Sequence, residues 1–158
     1  MPRRNTRYLP AILLLAFTIA GCSDKPKTLI EDYDEEKMEQ AMTEARSTLD
    51  QFLNRFRNPQ PGDEAFALKV RIEDDNGAEH FWLGQLNLDK EPYSGVIDND
   101  PEIVDCVKLG ERYSFSKEKI SDWMYLSNGK MQGNYTLRVA IESMPPEKAA
   151  AIKRAFGW

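Results

Sequence analysis

One histidine, two cysteines and a scattering of carboxylates are the side chains through which this chain could do chemistry. His80 stands beside Phe81 and Trp82, and with an aspartate as partner it could serve as the general base of a small hydrolase. The aspartates that could join it are Asp98, Asp100 and Asp122. A single imidazole excludes any site that needs two. Cys106 falls between Val104 and Val107, where a buried, inert thiol is expected rather than a nucleophile. Asp98-Asn99-Asp100 opens like a calcium loop, but no glycine follows at the sixth place and no glutamate at the twelfth. These residues suit a turn whose Asx side chains cap their own backbone two residues on. Asp122 suits a strand entry where a carboxylate accepts backbone N–H groups. Ser116-Lys117-Glu118-Lys119 reproduces the S-x-x-K of penicillin-recognising enzymes without the partner motifs of that class. Gly129 and Gly133 bracket Lys130 but make no phosphate loop. These patterns lead us to expect no cofactor and no metal.

The elements that must position these residues show in the hydrophobic spacing. The acidic run Glu31-Asp32-Tyr33-Asp34-Glu35-Glu36 reads as a helix start, where negative charge meets the positive end of the dipole. Met38, Met42, Ala45, Leu49, Phe52 and Phe56 then recur every three or four residues, which predicts one long amphipathic helix. Asn58-Pro59-Gln60-Pro61-Gly62 ends it. From Phe66 the period changes to two: Phe66, Leu68, Val70 and Ile72 make a half-buried strand, and Asn76-Gly77 turns it into a second strand over 79–88. Further short strands are predicted over 93–97, 103–107, 112–115 and 122–126, with a helical turn over 117–120. Tyr135 to Met144 alternates like a strand but also fits a helix with Asn134 as N-cap, and the balance tips to helix. Pro146 and Gly157 bound a C-terminal helix. The expected class is α+β: a long N-terminal amphipathic helix and a C-terminal helix packed on a small antiparallel, strongly coiled sheet or barrel. The aromatics, Trp82 and Trp123 among them, are read first as core, although stacked rings can also grip sugars or peptides.

The first 22 residues carry an address. Arg3, Arg4 and Arg7 form a positive segment, and Leu9 to Ala20 an apolar run of about a dozen residues, too short to span a bilayer. Ile19-Ala20-Gly21-Cys22 resembles the lipobox of bacterial lipoproteins, which implies cleavage before Cys22 and lipidation of its thiol. The expected organisation is a signal peptide over 1–21, a lipidated Cys22 with an acidic tether over 22–33, and a single α+β domain over 34–158. Ser23 follows the cysteine and Asp24 comes one place later than the aspartate that tends to retain lipoproteins in the inner membrane. The resemblance therefore implies an outer-membrane anchor with the domain facing the periplasm. From Cys22 onward 18 basic and 26 acidic residues remain, a net charge of −8. That balance argues against nucleic acid as a partner, because neutralising phosphates takes clustered lysine and arginine. The membrane, through the lipid, is the expected partner, with an envelope protein or a glycan left open.

Four ordered segments extend the reading: Glu79-His80-Phe81-Trp82, Gly95 to Pro101, Ile120 to Tyr125 and Gly133 to Arg138. Together they resemble the bacterial family known as domain of unknown function 2314, over roughly Met38 to Phe156. The resemblance implies a compact α+β domain and no established activity. The polar residues of its motifs that could serve a site are His80, Asp98, Asn99, Asp100, Asp122 and Arg138, and each could equally be a fixture of a turn or a buried hydrogen-bond network. The leading expectation is a membrane-anchored envelope lipoprotein with a non-enzymatic binding or interaction module. The alternative is a small periplasmic hydrolase using His80 with an Asp.

Overall fold

Asp34 opens the fold as an N-cap, its carboxylate accepting the Lys37 amide at 3.1 Å. The computed structural model describes residues 33–158. The signal segment, Cys22 and most of the tether lie outside the described residues. Helix α1 (Glu35–Ser47) begins with Glu35 and Glu36 against its positive end, as the acidic run implied. The single long helix expected from the spacing is broken. Thr48 leaves helical geometry at φ −103° and ψ 2°, and α2 (Leu49–Arg57) starts anew. The cause lies in the hydroxyl of Thr48. It sits 2.9 Å from the Glu44 carbonyl, a contact that bends helices, and 3.2 Å from the Trp123 indole nitrogen. The apolar stripe survives the break, so Ala41 and Ala45 of α1 and Leu49, Phe52 and Leu53 of α2 are all buried.

Six antiparallel strands follow: β1 (Asp63–Asp74), β2 (Gly77–Asn87), β3 (Tyr93–Ile97), β4 (Arg112–Phe115), β5 (Ile120–Ser127) and β6 (Lys130–Gly133). They form one open sheet in the order β4-β3-β2-β1-β5-β6. The barrel alternative is therefore corrected, because β4 and β6 end at opposite edges and do not meet. The long central strands do bend. Ala65 and Gln85 take positive φ values of 54° and 45° at two of the three places where the register slips, which are β-bulges. The Arg55 guanidinium of α2 binds the Asp63 carboxylate at the start of β1 and holds that carboxyl at about 2, well below the usual range.

The strand expected over 103–107 does not form. The segment between β3 and β4 is a loop whose amides are taken by side chains of the β1–β2 hairpin. The Glu79 carboxylate accepts the N–H groups of Glu102 at 3.0 Å and Ile103 at 2.9 Å. The Asp74 carboxylate accepts those of Asp105 at 2.7 Å and Cys106 at 3.1 Å. Backbone donors satisfied in this way have no need of a ladder. Val104 and Val107 still point into the core, but Cys106 does not: it is exposed, which corrects the buried thiol expected from its neighbours. Partial desolvation and then the Asp74 carboxylate push the thiol above its ordinary pKa.

After β6 the helix reading of the ambiguous segment holds: α3 (Tyr135–Ala140) runs into a single 3-10 turn over Ile141–Ser143. Asn134, however, is not its side-chain cap. It sits in left-handed geometry, and its amide nitrogen faces Met131 Sδ at 3.1 Å and Met124 Sδ at 3.7 Å. Helix α4 (Pro146–Phe156) closes the chain between the expected proline and Gly157, which is left-handed at φ 69°. The main core gathers α1, α2 and the sheet around Phe52, Leu68, Val70, Phe81, Leu83 and Trp123. A smaller cluster forms where Phe156 and Trp158 cover Ala67, Met124 and Met131. The turn from β6 into α3 is held by backbone contact. The Asn134 amide donates to the Trp123 carbonyl at 2.8 Å, and a Cβ on Gly133 would lie 2.2 Å from that same oxygen. Gly133 also has φ +72°. Gly133→Ala is therefore expected to cost at least about 2 kcal/mol, read as a lowered urea midpoint with unchanged m-value.

Candidate functional site

Lys69, at the middle of β1, pairs across the sheet with Trp82 on β2 and Asp122 on β5. Next to Trp82 the row continues, because the Asp98 amide donates to the Trp82 carbonyl at 2.9 Å. Two residues along β1, Arg71 pairs with His80. Between the Lys69–Asp122 and Val70–Ile120 pairs β5 carries one extra residue, Ser121. That bulge brings the Ser121 hydroxyl to 2.8 Å from His80 Nδ1, and it also reaches the Lys69 carbonyl at 3.3 Å.

Asp122 is the most heavily bonded side chain of the group and is fully buried. Its Oδ1 accepts the amides of Trp123 at 2.8 Å and Tyr135 at 3.2 Å. Its Oδ2 accepts the Thr136 amide at 2.8 Å and the Thr136 hydroxyl at 2.7 Å. Tyr135 and Thr136 are the first residues of α3, so this carboxylate, reaching across from the sheet, caps a helix. Lys69 Nζ donates to Thr136 Oγ1 at 3.1 Å and lies 5.6 Å from the Trp82 ring centroid. Burial pushes the Asp122 carboxyl up and the Lys69 amine down, and the hydrogen bonds from Thr136 and Trp123 and the nearby Lys69 charge oppose the Asp122 shift. The arrangement is a relay, Lys69 to Thr136 to Asp122, in which each polar atom is spent on locking α3 to β1 and β5.

The residues anticipated from the sequence divide between this row and its surroundings. Asp122 accepts backbone amides as expected. His80 is half-buried and bonded to a hydroxyl, with no aspartate as hydrogen-bond partner, which removes the geometric support for the His–Asp hydrolase. Burial, with Lys69, Arg71 and Arg46 nearby, lowers its imidazole to about 4. Asp98 and Asp100 have exposed side chains that cap nothing, and burial of part of Asp98 raises its carboxyl. The capping in that turn falls instead to Asn99, whose Oδ1 accepts the Trp82 amide at 2.9 Å, so the Asx turn is corrected to a contact from the loop after β3 to β2. Arg138 donates to the Gly133 carbonyl at 3.2 Å and stacks 4.2 Å over Trp158. In the S-x-x-K segment, Ser116 bonds Glu118 and Lys119 bonds Glu73, so the serine and lysine do not act together. Two shallow depressions border α1, one lined by Glu36, Glu39 and Glu44, the other by Tyr33, Lys37 and Glu142, and neither contains His80 or these aspartates. Among the described residues no three His, Cys, Asp or Glu side chains are grouped to hold a metal ion. Sequence reasoning passed over Lys69, Ser121 and Thr136. None of them carried a clear signal: Lys69 takes an ordinary polar place in the alternation of β1, beside Arg71.

Residues 35–158 match the bacterial family described as uncharacterized protein conserved in bacteria (DUF2314). The chain belongs to the DUF2314 family. It is 37% identical over 148 residues to the uncharacterized protein YegJ of Escherichia coli (strain K12), covering 93% of this chain and 95% of that one. It is also 31% identical over 85 residues to a Neisseria meningitidis protein described as a "putative ankyrin repeat protein". That match covers 54% of this chain and 34% of the longer relative. No solved structure gives a significant match. The family resemblance read from the four motifs is thereby shown, and Asp122 and Arg138, the motif residues that tie α3 to its surroundings, belong to the DUF2314 domain.

Two outcomes test this site. Asp122→Ala should destabilise by about 3 kcal/mol, because it uncaps α3 and removes the carboxylate near the half-buried Lys69, and Asp122→Asn by less, since its amide still accepts; thermal or urea unfolding measures both. His80 should titrate near 4 by NMR, a clean reading because it is the only histidine. A base held below its ordinary 6.5 is protonated first in the unfolded chain, so stability should be complete above about pH 6.5 and fall as pH drops towards 4. His80→Gln should flatten that part of the profile.

Proposed function

We propose that this DUF2314 protein is a lipoprotein of the bacterial envelope, anchored through Cys22, with the domain serving as a non-enzymatic interaction module facing the periplasm from the outer membrane. The observation that carries the reading is the order of the N-terminal signals: Arg3, Arg4 and Arg7, the apolar run from Leu9, then Ile19-Ala20-Gly21-Cys22. The alignment with YegJ supports it, because at 148 residues it outruns the family match by about two dozen and so takes in part of this N-terminal segment. The second half of the reading rests on how the polar row is used. Asp122 spends its carboxylate on four donors and His80 its Nδ1 on a serine, which is the chemistry of a fixed scaffold. A related segment within a protein described as having ankyrin repeats is consistent with a domain that is combined with other interaction units.

Cys22→Ser tests the anchor. In cells fed an alkyne fatty acid, the native chain should take up label and fractionate with membranes, and the Cys22→Ser chain should take up none. Label that persists in the variant would place the acylation elsewhere and refute the anchor. Crosslinking of the anchored protein in intact envelopes would then identify what the domain meets.

A further inference from the structure

The charges of the domain are unevenly compensated. Lys37, Arg46, Arg55, Arg71, Lys117 and Lys119 each hold an ion pair with an acid. Among the described residues, Lys130, Lys148, Lys153 and Arg154 have no ion-pair partner, as is also true of Arg57, Lys90, Lys108 and Arg112 elsewhere on the domain. The first four are all exposed, and Lys130, Lys153 and Arg154 meet at the C-terminal end of α4. Lys153 and Arg154 form the last turn of α4, and the Lys130 side chain rests against Gly157, where a Cβ would come 3.0 Å from its Cγ. Arg138 joins them through its stack on Trp158. Residues 130–158 carry five basic and two acidic side chains, a net charge of +3 in a chain whose total is −5.

Helix α4 itself is shallowly seated. None of its residues is fully buried, although Ala149, Ile152 and Phe156 are half-buried on its inner side. A surface helix with an uncompensated basic pair in its last turn, followed by a partly exposed tryptophan, has the profile of an element whose end lies against phosphate headgroups. Its location suits that task. Glu142, just before α4, pairs with Lys37 in the first turn of α1, so α4 starts beside the point where the tether enters the domain. A tether over 23–33 extends at most roughly 35 Å at about 3.3 Å per residue. The acidic side chains Glu36, Glu39 and Glu44 along α1 would be repelled by a negative surface, which favours presenting the α4 corner to it.

We propose that α4 and the Lys130–Arg138–Trp158 corner form a docking surface for anionic phospholipid headgroups, holding the domain against the bilayer to which it is tethered. The proposal rests on the lipid-anchor reading for its geometry and on the unpaired basic groups for its chemistry. The experiment uses the full lipidated chain, purified from envelopes and reconstituted into vesicles of phosphatidylcholine alone or with about 30% phosphatidylglycerol. Co-flotation with neutral vesicles reports the anchor, and hydrogen exchange of the α4 amides reports the corner. With phosphatidylglycerol the α4 amides should exchange at least about fivefold more slowly than with neutral lipid, an effect screened away in about 0.5 M salt. Lys153→Glu combined with Arg154→Glu should abolish the slowing while leaving the melting temperature unchanged, since both side chains are exposed; if that variant unfolds, the salt arm alone decides. Equal exchange on both vesicles with flotation intact would overturn the docking surface and leave the anchor standing. Failure to float on neutral vesicles would overturn the anchor, and binding to the anionic vesicles alone would then still support the corner. Slowing produced by polyglutamate but not by phosphatidylglycerol would overturn the lipid assignment in favour of an acidic protein partner.

Discussion

The first turn of α3 depends on a carboxylate supplied from the sheet. A helix of six residues has little stability of its own, since its first amides lack partners and its length is close to that of a nucleus. Asp122 supplies both what the helix lacks and what holds it in place. It accepts the first two amides of α3 and the Thr136 hydroxyl while its own strand runs through the centre of the fold. The burial that makes the carboxylate costly is offset by four donors and by the nearby Lys69 amine. The position of α3 then fixes Tyr135, whose hydroxyl meets Thr48 at 3.1 Å, and Thr48 is where α1 and α2 part. The broken helix and the capped helix are two ends of one set of contacts around Trp123, whose indole donates to the Ala45 carbonyl at 3.0 Å.

Carboxylates do similar work on the loop that joins β3 to β4. Asp74 and Glu79 lie on either side of the β1–β2 turn, and each gathers successive amides of the loop. Two acidic side chains thus replace a strand's worth of backbone pairing, and the loop can lie across the hairpin without joining the ladder. Ile103 is pressed against Gly77 as a result, at 3.0 Å from the position of a Cβ there. The edge that this loop leaves to β4 is short, and Arg112 donates back to the Gln85 carbonyl at 3.1 Å, which blunts it.

What could be read from the sequence followed the reach of each signal. The β1–β2 hairpin was legible because its turn is local and its alternation regular. Helix α4 was legible because proline and glycine mark its ends. The acidic run was legible as a helix start because the charges and the helix end they favour are adjacent in the chain. The loop over 98–111 was not, because the acceptors that organise it sit 23 or more residues away, and the apolar cluster Ile103, Val104, Cys106 and Val107 mimics a strand. The helix break at Thr48 was hidden because the apolar spacing runs through it unchanged, and because its hydroxyl is held at the Glu44 carbonyl by Tyr135 and Trp123, residues far along the chain. At the site, Asp122 could be singled out as an acceptor of backbone amides, but its place beneath α3 could not. Ser121 meets His80 only because of a one-residue bulge in β5, a register detail that spacing does not encode.

The burial of His80 has a consequence for the electrostatics of the whole domain. Histidine is the side chain whose ordinary titration falls between pH 5 and 8, and this chain has one. Seated against Ser121 under three cationic neighbours, that imidazole stays uncharged throughout the range. The exposed Cys106 thiol is displaced upward, away from it. An acidified medium therefore leaves the pattern of positive and negative surface on the domain nearly as it was at neutrality. A protein exposed to whatever pH its surroundings impose would keep the same charge pattern for its partners across that span.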